Sequence, residues 1–294
     1  MFRNAAVCCL LVVLVGCDSD GTVSPPTPIR QIPRQFAPSW SEHGRIAYIS
    51  HDVPNMEDGL YTSLADGSER RLILAGRLVA APDWHPDGDR ILFTSNQSGI
   101  YTIKPDGSEL FGYSTTSPSS FFGRWSRDGA RLAYDVTLPV DSNGVWTASA
   151  DDNRHTQTAS GRFPDWPHSG DSLVFVALHH QLFVSDTTGA DPRQLTFNSW
   201  SNWHPSWSPT RDLIAWSSQE GPSRSIWVMK TDGSDQRRLA SLESTDDTNF
   251  DRPRVDWTPT GDSLVFSWLN DDKSVAPLHI MSLAGETPRP LFNN

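Results

Sequence analysis

A six-fold repeat phased by tryptophan, an aromatic-centred run after each tryptophan turn, and a second tight turn further on predict an all-β fold. The fold is a six-bladed β-propeller of four-stranded antiparallel blades. Trp40, Trp84, Trp125, Trp166, Trp207 and Trp257 recur every 41 to 50 residues along the 294-residue chain. A period of this length with four short runs per unit is that of propeller blades, each of which needs neighbours to bury both faces of its sheet.

The elements of each unit follow in order. The tryptophan closes a first run and opens a turn: WSEHG, WHPDG, WSRDG, WPHSG, WSPTR and WTPTG. The second runs are RIAYIS, RILFTS, RLAYDV, SLVFVA, LIAWSS and SLVFSW, with Tyr48, Phe93, Tyr134, Phe175, Trp216 and Phe266 at one shared place. Branched aliphatics around an aromatic describe a strand covered on both faces. Third runs such as GLYTSLADGS, GIYTIKPDGS and SIWVMKTDGS end in Asp-Gly, which supplies the positive φ of a tight hairpin. Short fourth runs such as ERRLIL and QRRLAS complete the unit. A two-sheet sandwich would also be all-β, but it has no reason to repeat a tryptophan turn six times in register. The six tryptophans are read as structural, filling the layers between blades.

The pattern Pro-x-Trp-Ser-Pro-Asp-Gly, then an aliphatic-aromatic strand, then Asp-Gly-Ser, resembles the TolB-like propeller, a family related in pattern to the WD-repeat propellers. Residues 36–48, 82–93 and 203–216 with 225–239 carry the likeness. Departures are Gly123 in place of Pro, Pro167-His168-Ser169 in the fourth turn and Thr210-Arg211 in the fifth. The resemblance implies periplasmic protein–protein interaction and peptide capture in a central channel.

The N-terminus reads as a targeting segment. Arg3 precedes an apolar run from Ala5 to Val15, too short to span a bilayer. It ends in Leu14-Val15-Gly16-Cys17, which resembles the bacterial lipobox, whose cysteine is lipidated and becomes the mature N-terminus. The expected organisation is a lipoprotein signal peptide over 1–16, lipidated Cys17 with a disordered tether over 17–32, and the propeller over 33–294. The tether holds Pro25, Pro26 and Pro28 among small polar residues, a composition that cannot pack a core. Cys8 and Cys9 leave with the signal peptide, so the mature chain has no second thiol for a disulfide. A propeller outside the cytoplasm, held to a membrane of the bacterial cell envelope by lipid alone, is the expected location.

The formal charge of −11 argues against nucleic acid as a partner. In an up-and-down blade the tryptophan turns and Asp-Gly turns emerge on one face. The second-to-third connections and the crossings between blades emerge on the other. That second face carries the variable loops, where recognition usually sits on a rigid scaffold. Its candidate binding residues are Trp200, Trp203, His204, His179, His180 and His51, the two tryptophans read either as an exposed aromatic pair or as packing under a crossing loop. Asp52, Asp246, Asp247, Asp251, Asp271 and Asp272 lie in the same loops, but no spacing enforces a metal site, and no metal or cofactor is expected. The chain shows no Gly-x-Ser-x-Gly elbow, His-Glu-x-x-His, phosphate-binding loop or Cys-x-x-Cys. The expected function is therefore non-enzymatic: a monomeric propeller recognising an envelope protein or peptide through the loop face. The alternative is a carbohydrate- or ester-active enzyme using His and Asp groups or a metal at the channel mouth. Ring closure is open between side-chain packing alone and an added outer strand from residues 28–33.

Overall fold

The computed structural model describes residues 34–51, 56–76, 79–95, 99–113, 120–137, 144–151, 154–221, 223–242, 253–268 and 278–292. Within the unit Ile32–Asn294 they form six sheets of four consecutive antiparallel strands. The first blade is β1 (Arg34–Trp40), β2 (Arg45–His51), β3 (Gly59–Leu64) and β4 (Arg71–Ala75). The second is β5 (Val79–Trp84), β6 (Ile91–Ser95), β7 (Gly99–Ile103) and β8 (Phe111–Gly112). The third is β9 (Ser120–Trp125), β10 (Arg131–Val136), β11 (Gly144–Ser149) and β12 (His155–Ala159). The fourth is β13 (Arg162–Asp165), β14 (Ser172–Ala177), β15 (Gln181–Asp186) and β16 (Arg193–Gln194), with a single 3-10 turn at Leu178–His180. The fifth is β17 (Ser201–Trp207), β18 (Leu213–Glu220), β19 (Ser223–Lys230) and β20 (Arg237–Leu242). The sixth is β21 (Val255–Trp257), β22 (Ser263–Ser267), β23 (Leu278–Ser282) and β24 (Arg289–Pro290).

Each blade pairs the aromatic of its second strand with a residue directly across on the third: Tyr48 with Tyr61, Phe93 with Tyr101, Phe175 with Phe183, Trp216 with Trp227. Their rings stack at 5.7–6.2 Å with interplanar angles of 18–22°. Cross-strand pairs of this kind are the unit of sheet stabilisation.

Six apolar clusters fill the six junctions between blades. Trp84 packs on Ala47, Ile49 and Leu60 of the first blade, and Trp166 on Ala133 and Val145 of the third. Trp40 meets the sixth blade, where Tyr48 and Tyr61 pack with Val265, Leu278, Leu291 and Phe292. Five of the repeat tryptophans are at most 7% exposed. Trp40, at the closing junction, is only half-buried. Every described sheet is completed by its own strands, so in the described residues the ring is shut by side-chain packing; residues 28–33 lie outside them.

The turns interlock on their shared face. His43 Nε2 of the first blade meets the Asp87 carbonyl at 2.8 Å, and Thr210 Oγ1 donates to the Thr260 carbonyl at 2.8 Å. The His85 ring stands edge-on to Trp125 at 4.6 Å and lies directly over Gly129, where φ is +69° and a Cβ would run into the imidazole. In the second turns an Asp caps its own loop: the Asp66, Asp106 and Asp232 carboxylates accept the backbone N–H two residues on at 2.8–2.9 Å. These bonds hold all three carboxyls below the usual range, the serine hydroxyl contributing most.

Candidate functional site

The inner strands converge on the axis in two layers. The residue before each tryptophan forms the first: Ser39, Asp83, Arg124, Asp165, Ser206 and Asp256. Every junction is bonded through this layer. Backbone N–H groups of Trp125, Trp207 and Trp40 donate to Asp83, Asp165 and Asp256 of the preceding blade at 2.8, 2.6 and 2.9 Å. Trp84 N–H donates to Ser39 Oγ at 3.2 Å. The indole N–H groups of Trp166 and Trp257 donate to the carbonyls of Arg124 and Ser206 at 3.2 and 3.0 Å. Asp thus appears in alternate blades and orients the next tryptophan each time. Arg124 ties two of them together, 2.6 Å from Asp83 and 3.5 Å from Asp165. Burial pulls the Arg124 pKa down, but the three carboxylates outweigh it and raise it above the ordinary arginine value. Burial pushes Asp165 up to about 6 against the pull of Arg124, and pushes Asp256 up as well.

Three residues before the tryptophan lies the second layer: Ala37, Ala81, Phe122, Phe163, His204 and Arg254. In the first five blades this residue has φ between 45° and 55° at a break in strand register. A non-glycine residue there is strained, and the strain recurs because the bulge turns its side chain toward the axis. Phe122, Phe163 and His204 meet ring to ring at 4.4–5.4 Å, and Arg254 lies over Phe122 at 5.9 Å. These contacts join the third, fourth, fifth and sixth blades and are possible only at the axis. The two layers leave cavities of about 40 and 10 Å³. Side chains of the two layers narrow the axis among the described residues.

The loop face offers more space. A cavity of about 810 Å³ opens between the third, fourth and fifth blades, lined by Val136, Arg162, Phe163, His179, His180 and Trp203, among others. Leu178 and Phe197 stand on this side, 73% and 78% exposed. Two buried amides hold their loops together. Gln181 Nε2 donates to the carbonyls of His179 and Trp200 at 3.2 and 3.1 Å. Asn202 Nδ2 donates to the His180 carbonyl at 3.0 Å, and Trp216 Nε1 donates to Asn202 Oδ1 at 3.0 Å. At the cavity wall Arg162 pairs with the fully buried Asp135 at 3.1 Å. Burial raises the Asp135 carboxyl to about 6, partly offset by Arg162.

The candidate residues separate in the structure. His179 and His180 are exposed, each with φ above 50°, and both line the cavity. Of the two alternatives for Trp203 the packed one holds: it is 6% exposed and packs in the core between the fourth and fifth blades. Its ring supports His180 at 4.3 Å and meets Phe163 at 5.9 Å. Trp200 is half-buried, its ring 5.4 Å from Trp227. His204 belongs to the axis, and His51 sits against Phe36 at 5.2 Å, at the end of β2. Asp52, Asp246, Asp247, Asp251, Asp271, Asp272 and Cys17 lie outside the described residues. Among the described residues, the group with three ligand atoms near enough for one ion is His85, Asp87 and Asp89, on the opposite face. Its imidazole is already engaged by Asp87 and by Trp125 of the next blade.

No protein-family model matches the chain. A stretch of 117 residues is 32% identical to the Tol-Pal system protein TolB of Anaeromyxobacter dehalogenans, covering 36% of this chain and 25% of that one. The chain thus spans about a quarter of the length of this relative. A solved structure of a putative TolB from Agrobacterium tumefaciens superposes with a TM-score of 0.65 at 20% identity, over 77% of this chain and 87% of the other. An oligogalacturonate lyase in complex with manganese gives a TM-score of 0.59 at 12% identity, over 88% and 77%. Blade topology and these likenesses agree: the chain is a six-bladed β-propeller whose fold is similar to that of the TolB structure.

Proposed function

We propose that this chain is a non-enzymatic recognition scaffold of the bacterial cell envelope, lipid-anchored through Cys17, which docks a protein partner on the loop face of its fourth and fifth blades. The observation that carries this reading is the pair Leu178 and Phe197, presented to solvent beside a large cavity by loops that buried Gln181 and Asn202 lock in place. Exposed apolar groups on a preordered surface lose little conformational freedom on binding, which favours protein contacts. The likeness to a Tol-Pal system protein and the lipobox-like Leu14-Val15-Gly16-Cys17 both support an envelope setting. On this reading 1–16 is the signal peptide, 17–32 the lipidated tether and 33–294 the propeller.

Crosslinking pull-down from membranes tests it, comparing the native chain with a Leu178→Ser, Phe197→Ser variant. The expected result is one envelope protein captured by the native form and lost in the variant. Trp203 is left intact, since its removal would damage the core.

The enzyme reading has the fold of the manganese-bound lyase in its favour and His179 and His180 at the cavity. It requires a metal or a turnover, and metal analysis of the purified chain together with a lyase and esterase screen separates it from the scaffold.

A further inference from the structure

The wall of the loop-face cavity holds one guanidinium in a fixed pose with an unused edge. Arg162 is the first residue of β13, and its Nε donates to Oδ2 of the fully buried Asp135 of the third blade at 3.1 Å. Its planar head lies over the Phe163 ring at 4.9 Å. A carboxylate on one edge and an aromatic ring against one face fix the head, while 45% of the side chain stays open to solvent. Among the described residues no hydrogen bond engages Nη1 or Nη2. Arg124 shows in the same molecule that one guanidinium serves two carboxylates: it meets Asp83 through Nη1 at 2.6 Å and Asp165 through Nε at 3.5 Å. Arg162 has the first such partner in Asp135, and it lines a cavity where a second can enter. At about 810 Å³ that cavity is within the usual range for ligand sites, and among the described residues no carboxylate lines it. His179 and His180 line it too, the His180 ring held against Trp203 at 4.3 Å. In a chain of formal charge −11, an acid-free lining spares an incoming anion the repulsion of like charge.

We propose that the Nη edge of Arg162 takes the carboxylate of an acidic side chain, Asp or Glu, from the protein docked on this face. The inference rests on the docking reading above and adds the chemistry of the contact. The partner carries an acidic residue beside an apolar one, the first on Arg162 and the second against Leu178, which lines the same cavity and is 73% exposed. The planar fork of a guanidinium matches the two oxygens of a carboxylate. Asp135 and Phe163 have already removed freedom that a long side chain would otherwise lose on binding. A folded partner presents side chains rather than chain ends to a surface of this kind, so a side chain supplies the carboxylate. A charged contact placed next to apolar ones selects the partner and fixes its register.

Titration of the full-length chain with blocked dipeptides tests it, read from the imidazole C–H signals of His179 and His180 in 1H–13C spectra. The probes are N-acetyl-Leu-Glu-amide, N-acetyl-Leu-Gln-amide, and N-acetyl-Leu-Leu with a free carboxyl terminus. The expected result is a saturable shift with the Glu dipeptide, and binding weaker by about tenfold or more with the Gln dipeptide or in Arg162→Gln. Arg127→Gln, at the tryptophan-turn mouth of the axis, should bind as the native chain does. Arg162→Gln leaves Asp135 buried without its partner, so the double variant Asp135→Asn, Arg162→Gln repeats the titration in a protein with no stranded charge. Equal binding of the Glu and Gln dipeptides, undiminished binding in both variants, or shifts from the free chain end alone would overturn the proposal. Photocrosslinks to a partner from positions 178 and 197, with no response to the Glu dipeptide, would remove the acidic contact and leave the docking reading standing. A response to the Glu dipeptide without such photocrosslinks would keep the seat on Arg162 and remove the docking reading.

Discussion

Trp166→Ala removes the largest ring at the junction of the third and fourth blades. The side chain is 2% exposed and packs against Ala133, Val145, Leu173 and Phe175. The Arg131 guanidinium covers it at 4.7 Å, and its indole N–H donates to the Arg124 carbonyl at 3.2 Å. Truncating a buried large aromatic to alanine costs about 3–5 kcal/mol, because the cavity only partly collapses. The blades are separate four-stranded sheets joined here by side chains, so backbone pairing offers no substitute. Trp166→Phe separates the two contributions: it keeps most of the packing and loses the bond, and should cost about 1–2 kcal/mol. Guanidinium unfolding at matched m-values is the assay. A loss below about 1 kcal/mol for the alanine variant, with m unchanged, would refute the role of the ring as inter-blade core.

Further consequences can be measured in the same protein. Asp135 and Asp165 have folded pKa values near 6, above the ordinary 3.8, so between those limits the folded state holds protons that the unfolded state has released. Stability from this source is full at the acid end, falls as pH rises through about 4 to 6, and levels off above. Asp165→Asn should therefore flatten the decline of Tm with pH, and an unchanged slope would contradict the placement of this carboxyl. Gly129→Ala should lose about 1–2 kcal/mol from its positive φ alone, with the His85 contact adding to it; a denaturant melt equal to the native one would exclude the interlocked turn. Cys17→Ser should move the chain from the membrane to the soluble fraction of a cell lysate, and retention in the membrane would refute lipid anchoring.

The blade pattern was legible because each repeated residue has one job. Tryptophan fills the junction, the following strand is aromatic at its centre, and Asp-Gly closes the hairpin, so periodicity alone exposes all six units. The axial layers were hidden for the opposite reason. Ser39, Asp83, Arg124, Asp165, Ser206 and Asp256 share a position without sharing a chemistry. Their pattern, Asp in every second blade, becomes visible only when the residue before each tryptophan is read as a ring. Trp203 was ambiguous because an aromatic outside the repeat suits surface and core alike, and the bulge next to it turns the ring into the core. Leu178 and Phe197 carry no sequence signal at all; their exposure depends on Gln181 and Asn202, polar residues whose bonds bridge loops 17 to 22 residues apart.

Site-resolved photocrosslinking in membranes tests the docking reading most directly. A photoreactive residue is placed at Phe197 and at Leu178 on the loop face, and at the exposed Glu42 on the tryptophan-turn face. A discrete adduct with one envelope protein is expected from positions 197 and 178 and none from 42. Adducts from position 42, with none from the loop face, would place recognition on the stereotyped turns and contradict it.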